Sequence, residues 1–203
     1  MRNMDFYRAK QYIVNRLHVE LDRRLIYHDL EHTLDVYRAA QRLSTAENID
    51  NHSMQLVLTA ALFHDSGMLI NYENHEEESI VICKKELPKF DYTDTEIDTV
   101  SRLILKTKLE ETANCGMEGI LCDADLDYLG REDFFIKSTK LLLEWKALGK
   151  HSYSLVEWLK IQIHFLEKHH YNTKAAQAIR NETKSKNIEE IRALYKICSE
   201  PSV

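Results

Sequence analysis

Turn-forming residues are scarce in this chain. Its 203 residues include only 5 glycines and 2 prolines, too few to punctuate the many short strands of a sandwich or barrel. Leu, Glu, Lys, Ala and Ile dominate instead, and these favour helix, so the expected fold class is all-α. Surplus positive charge is lacking too. The 27 Lys and Arg stand against 33 Asp and Glu, for a formal net charge of −6. With both signs interspersed, a broad nucleic-acid surface is excluded and only a local basic site could meet a phosphate. No apolar run approaches the roughly 18 residues of a membrane span, and the first residues lead into amphipathic helix without an apolar leader core. These absences predict a soluble, cytoplasmic protein with no membrane partner. The 4 cysteines, Cys83, Cys115, Cys122 and Cys198, form no C-x-x-C pair and read as thiols of a reducing compartment. Cys115 and Cys122 lack the further ligands that a shared soft metal would need.

What is present is helical periodicity. The length fits one domain, alone or with a helical extension. Phe6, Ala9, Ile13, Leu17, Leu21 and Leu25 recur at a period near 3.6 and predict a first helix from about 4 to 27. A second is expected from about 29 to 43. The third, about 51 to 64, carries Leu56 to Phe63, apolar on every face, and belongs inside the bundle. A fourth starts near Glu76 and stops before Pro88. Thr93-x-x-Glu96 matches a capping box for a fifth, 94 to 108. After a loop at 110 to 116, a sixth segment covers 117 to 129, with Gly130 as its left-handed closing residue. Further helices are expected at about 133–148, 154–168, 173–184 and 188–198.

Three clusters carry chemistry. The apolar run ends in His64-Asp65, which places an imidazole and a carboxylate at the end of a buried helix, where an unpartnered charge is expensive. A metal ion would compensate it; a His-carboxylate hydrogen bond or a helix-terminal charge would do so equally well. His28 and His32, four apart, share one helix face. Asp123, Asp125 and Asp127 lie among leucines. They do not form a calcium loop, because Tyr128 stands where that loop needs glycine and Phe134 where it needs glutamate. Either Asp125 alone points inward, with Asp123 and Asp127 facing solvent, or all three decorate a surface.

The order His32, then His64-Asp65, then Asp125 resembles the H…HD…D pattern of the HD superfamily of metal-dependent phosphohydrolases. YHDLEHTLDVYRAA (27–40), ALFHDSGML (61–69), NHEEES (74–79), DADLDYLG (123–130) and WLKIQIHFLEKHHYNTKAA (158–176) extend the resemblance over most of the chain. It implies an HD-domain helical bundle, a metal-binding core over 1–135 with a C-terminal helical extension over 136–203 packed on it. It also implies a divalent ion held by His32, His64, Asp65 and Asp125, with Asp123 as the runner-up for the last position. Nitrogen and oxygen donors together suit Mn, Fe, Co, Ni, Mg or Zn. The pattern departs from two-metal relatives: Met68 follows Gly67 where they carry Lys, and 103–108 lacks their histidine pair. His75 is the one candidate for a second ion or a phosphate.

The implied activity is hydrolysis of a small phosphate ester or nucleotide by a metal-activated water. In this reading Asp65 and His28 act in catalysis, and Lys106, Lys108 and Arg102 supply charge near the phosphate. The alternative is a non-catalytic nucleotide-binding sensor that regulates a partner. Oxygenase chemistry on two irons would need more histidines between Asp65 and Asp125 than His75 alone. His164, His169 and His170 have poor ligand spacing and read as surface or packing residues. Trp145, Trp158, Phe165 and Leu166 read as core or as subunit contact in a homo-oligomer.

Overall fold

The structure is a computed structural model, and it describes residues 4–108 and 116–199. Cys115 and most of the 110–116 loop lie outside these residues. Among the described residues every regular element is helical: α1 (Phe6–Glu20), α2 (Leu30–Ala46), α3 (Asn51–Phe63), α4 (His75–Glu86), α5 (Asp94–Leu105), α6 (Met117–Asp125), α7 (Phe134–Ala147), α8 (Leu155–Lys168) and α9 (Lys174–Ser199). Short 3-10 turns occupy Ser66–Leu69, Leu87–Phe90 and Asp127–Gly130. None of the described helices is long and apolar enough to cross a membrane.

Helix α3, buried along its whole second half, is the central post. All eight residues from Leu56 to Phe63 are buried, and the helix packs on α1, α2, α5 and α6. Helix starts follow side-chain chemistry. Asp29, Asp50 and Thr93 accept from the backbone N–H three residues on, and Ser154 with Glu157 forms a second full capping box beside that of Thr93 and Glu96, which satisfies donors the helix itself leaves open.

Four boundaries differ from expectation. Instead of reaching Tyr27, α1 ends at Glu20. There Asp22 accepts from the Arg24 N–H at 2.9 Å and from its guanidinium, a local bond that competes with the helix. Leu25 and Tyr27 are buried all the same. Beyond Glu86 the chain tightens into the 3-10 turn that carries Pro88 rather than stopping. The sixth segment changes from α to 3-10 after Asp125, and Gly130 is not left-handed. It lies against α9 so closely that a Cβ there would sit 2.6 Å from the Arg180 carbonyl oxygen. Finally, the polar stretch at 184–187 does not break the C-terminal helix. The Asn187 amide donates to the carbonyls of Leu129 and Arg131 at 2.9 and 3.0 Å, and Lys184 donates to the carbonyl of His169, so tertiary bonds hold α9 continuous.

Two apolar cores result. The larger surrounds α3. The smaller gathers Tyr27, Tyr128, Leu129, Phe134, Leu159, Leu166 and Ile191 between the 3-10 turn after α6 and helices α7, α8 and α9. The cavity described next lies where side chains of both halves meet.

Candidate metal centre

At the end of α3 the chain turns sharply. Ser79 on α4 locks the turn by donating to the His64 carbonyl at 2.6 Å and accepting from the Gly67 N–H at 2.8 Å. Gly67 is forced: a Cβ at that position would meet the His75 carbonyl oxygen at 1.9 Å. The His64 Nδ1–H donates to the Ala61 carbonyl at 2.9 Å, which leaves Nε2 as the nitrogen facing inward. His32 arrives from the first turn of α2 with its own N–H capped by Asp29 at 2.8 Å, and Asp125 is the last residue of α6.

These side chains converge. His32 Nε2 lies 3.3 Å from Asp65 Oδ2 and 3.2 Å from Asp125 Oδ1, and His64 Nε2 lies 3.1 and 3.5 Å from the same two oxygens. One donor atom each from His32, His64 and Asp125 fits within 4.8 Å. His64 Nε2 and Asp65 Oδ2 are sealed from solvent and yet have no hydrogen-bond partner. At 3.1 Å they are near enough for one, so it is alignment that fails. Buried polar groups left in this state need a third body to satisfy them. Mixed imidazole and carboxylate donors at such spacings suit a divalent cation.

The electrostatics follow. Burial would lower the His32 pKa, but its hydrogen bonds to Asp125 and Asp65 hold it up to about 9. Burial likewise opposes the charge on His64, whose pKa the nearby carboxylates of Asp65 and Asp125 raise well above the ordinary value. Asp65 and Asp125, despite burial, are held below the usual carboxylate range by the two imidazoles. Raised histidines and depressed carboxylates around one point are the charge pattern that a cation there would take over.

A cavity of about 500 Å³ reaches Asp65 and Asp125 and is lined further by His28, His75, Thr107 and Lys150. His75 directs Nε2 at Asp65 Oδ1, 3.4 Å away, and at Glu76 Oε1, 3.5 Å away, with its Nδ1–H on the Tyr72 carbonyl at 2.9 Å. His28 is held by Glu144 of α7. That fully buried carboxylate meets His28 Nδ1 at 2.5 Å and accepts from the backbone N–H groups of Tyr27 and His28 at 2.8 and 3.0 Å. The Tyr72 hydroxyl donates to Glu144 at 3.3 Å and accepts from Trp145 Nε1 at 2.8 Å. Burial raises the Glu144 pKa, but the bond to His28 and the backbone donors outweigh it and leave the carboxyl below its usual range.

The structure thus brings His32, His64, Asp65 and Asp125 together, with His28 and His75 beside them. It does not bring in the other expected residues. Of 106–108 only Thr107 lines the cavity, and Lys108 is paired with Glu77. Arg102 is exposed beside Glu118, at 3.6 Å. Asp123 and Asp127 are buried, not solvent-facing. Asp123 accepts four bonds of 2.7 to 2.9 Å from Asn172 and Thr173, ahead of α9, and Asp127 binds Arg180 twice at 2.8 Å and Arg42 at 2.8 Å. Their oxygens are taken. Trp145 and Phe165 line the cavity rather than serving only as core, while His164 and His170 are exposed and His169 packs its ring on Tyr171. Sequence reading missed Tyr72, Glu144 and Lys150; a glutamate among leucines in α7 was the one available signal.

Comparison with known proteins agrees with this arrangement. Residues 29–126 match the model of the HD domain. An uncharacterized protein of Clostridium beijerinckii is 32% identical over 106 residues, which cover 51% of this chain and 67% of that protein. Among solved structures, a predicted HD superfamily hydrolase from an uncultured Thermotogales bacterium superposes with a TM-score of 0.63 at 18% identity, covering 98% of this chain and 97% of that one. Bacillus subtilis YpgQ in complex with ADP gives 0.67 at 20% identity, covering 98% and 99%. At such identities the likeness is one of fold.

Proposed function

We propose, from the premise that this chain belongs to the HD superfamily, that it hydrolyses a phosphate ester of nucleotide type with His32, His64, Asp65 and Asp125 holding one divalent ion. The observation that carries the reading is the pair of sealed, unpartnered atoms, His64 Nε2 and Asp65 Oδ2, at the edge of a cavity of about 500 Å³, within the range of small-molecule sites. When bound, the ion supplies charge against a phosphoryl oxygen and makes water acidic enough to serve as nucleophile near neutral pH.

The protein's own residues do the rest. The cavity lining carries four carboxylates, Asp65, Glu73, Glu76 and Asp125, against one lysine, Lys150. Such a wall repels a phosphate unless a cation sits on it, which agrees with metal dependence. Because Glu144 occupies His28 Nδ1, Nε2 is the nitrogen left for the ligand. His28 is placed to give an Nε2 proton to the leaving oxygen as water forms the new P–O bond and the ester P–O bond breaks. Glu144 is a positioning residue that fixes the ring. Tyr72, Trp145 and Phe165 offer flat apolar surface to the non-phosphate part, and YpgQ, a structural relative, is known in complex with ADP.

The test is hydrolysis of a panel of nucleotides and phosphomonoesters with single metals added, comparing the native chain with Asp65→Ala. Turnover by the native chain alone supports the reading; no turnover on any compound, or equal turnover by both proteins, overturns it. Met68, buried where two-metal relatives carry lysine, favours the second reading, a nucleotide-binding module without catalysis. Calorimetry that finds tight nucleotide binding with no product would select it.

A further inference from the structure

We infer that Gln162 reads the ring of the ligand, as a donor that favours a nucleobase carrying a carbonyl over one carrying an amino group. The inference rests on the nucleotide reading above. Gln162 lies on α8, is only 4% exposed, and lines the cavity with its helix neighbours Ile161 and Phe165. Half of its amide is already committed. Trp158 Nε1, which can only donate, gives its hydrogen to Ser138 Oγ at 3.0 Å, and Ser138 passes its single proton to Gln162 Oε1 at 3.1 Å. Ser138 and Trp158 are buried as deeply as Gln162, so water does not compete for the relay, in which the amide presents its oxygen to Ser138.

The Nε2 side is left over. It has no hydrogen-bond partner among the described residues, yet it is not among the atoms sealed from open space. Gln162 lines the cavity, and that is where this donor can meet a ligand. The same cavity is lined by Ile161, Phe165, Leu141 and Trp145, apolar and aromatic surface suited to a heteroaromatic ring. A donor set in such a wall is costly when covered by a ligand that offers no acceptor.

The relay also sets the preference. A free glutamine pairs with adenine by donating to the ring nitrogen and accepting from the amino group. Here Oε1 is taken by Ser138, so only donation is available. A ring carbonyl, as in a 6-oxopurine or 4-oxopyrimidine, matches it, whereas an amino group sets donor against donor. An amino base still binds, but more weakly.

Inosine diphosphate and adenosine diphosphate carry the same phosphate chain and have oxo and amino groups at the same ring position. Titration calorimetry of the full chain with both, in the presence of magnesium, should show the inosine compound binding about tenfold tighter. Gln162→Glu keeps an oxygen for Ser138 but replaces the donor with an acceptor, and should reverse the order. Gln162→Met removes both functions and should equalise the two affinities; thermal melts identify folded variants, and if Gln162→Glu fails to fold, the native and methionine proteins decide the matter. Equal binding of both nucleotides by the native chain, or a native ratio that survives in a folded variant, overturns the inference and leaves nucleotide binding intact. Binding of neither nucleotide overturns the proposed function and this inference with it.

Discussion

The two walls of the cavity are built on different principles. On the α2, α3 and α6 side, imidazoles and carboxylates crowd to within about 3 to 3.5 Å of one another, each carried on or next to a helix end, and His64 is further oriented by a backbone carbonyl. On the α7 and α8 side, functional groups are oriented by other side chains, in the runs Trp145, Tyr72, Glu144, His28 and Trp158, Ser138, Gln162. Backbone-anchored groups have little freedom to drift between sequences of one fold. Side-chain relays change with a single substitution. The first wall is therefore suited to a fixed chemistry and the second to selection among ligands.

Substitution should separate the two. Asp65→Ala is expected to have the largest effect, with bound metal near zero by elemental analysis and turnover lower by about a thousandfold or more. If that protein retains its ion, the first wall is not the metal's. Gly67→Ala should come next. The added methyl overlaps the His75 carbonyl, so denaturant melts should show a loss of about 3 kcal/mol together with weaker metal retention.

On the second wall, Glu144→Gln should keep the metal content and lower kcat by about ten- to a hundredfold, because His28 loses the carboxylate that orients its ring. Loss of the ion in this variant would break the division between the walls. A smaller effect concerns the ion-free protein. His32 is held up to about 9, above its unfolded value, so its contribution to stability is complete below that unfolded value and is lost as pH rises through about 9. Asp65 and Asp125 are held low, so theirs is present above the unfolded carboxylate value and is lost as pH falls. The Tm of ion-free protein should accordingly drop between pH 7 and 10, and added divalent ion should suppress the drop by replacing the imidazolium charge. Lys108→Ala, which removes a surface ion pair with exposed Glu77, should change stability by no more than about 0.5 kcal/mol and leave turnover as it was.

The same division explains what could be read from residues alone. Leu56 to Phe63 ending in His64-Asp65 gives away both a buried helix and a charge in need of compensation, and the Thr93 capping box marks a helix start by local chemistry. Those signals are short-range. Glu144 reaches His28 across 116 positions, and nothing near either residue announces the bond. The continuity of α9 is also non-local, because Asn187 is held by carbonyls of Leu129 and Arg131. Asp123, Asp125 and Asp127 look alike in sequence, and only the partners that each meets in space tell them apart.

Two of those aspartates share a nine-residue helix and pull in different directions. Asp123 is tethered to the residues that begin α9, while Asp125, half a turn further, faces His32 and His64. Any loosening of the last helix therefore slackens the strut that presents Asp125. Damage far along the chain would then register first as a weakened grip on the ion, before the bundle itself gives way.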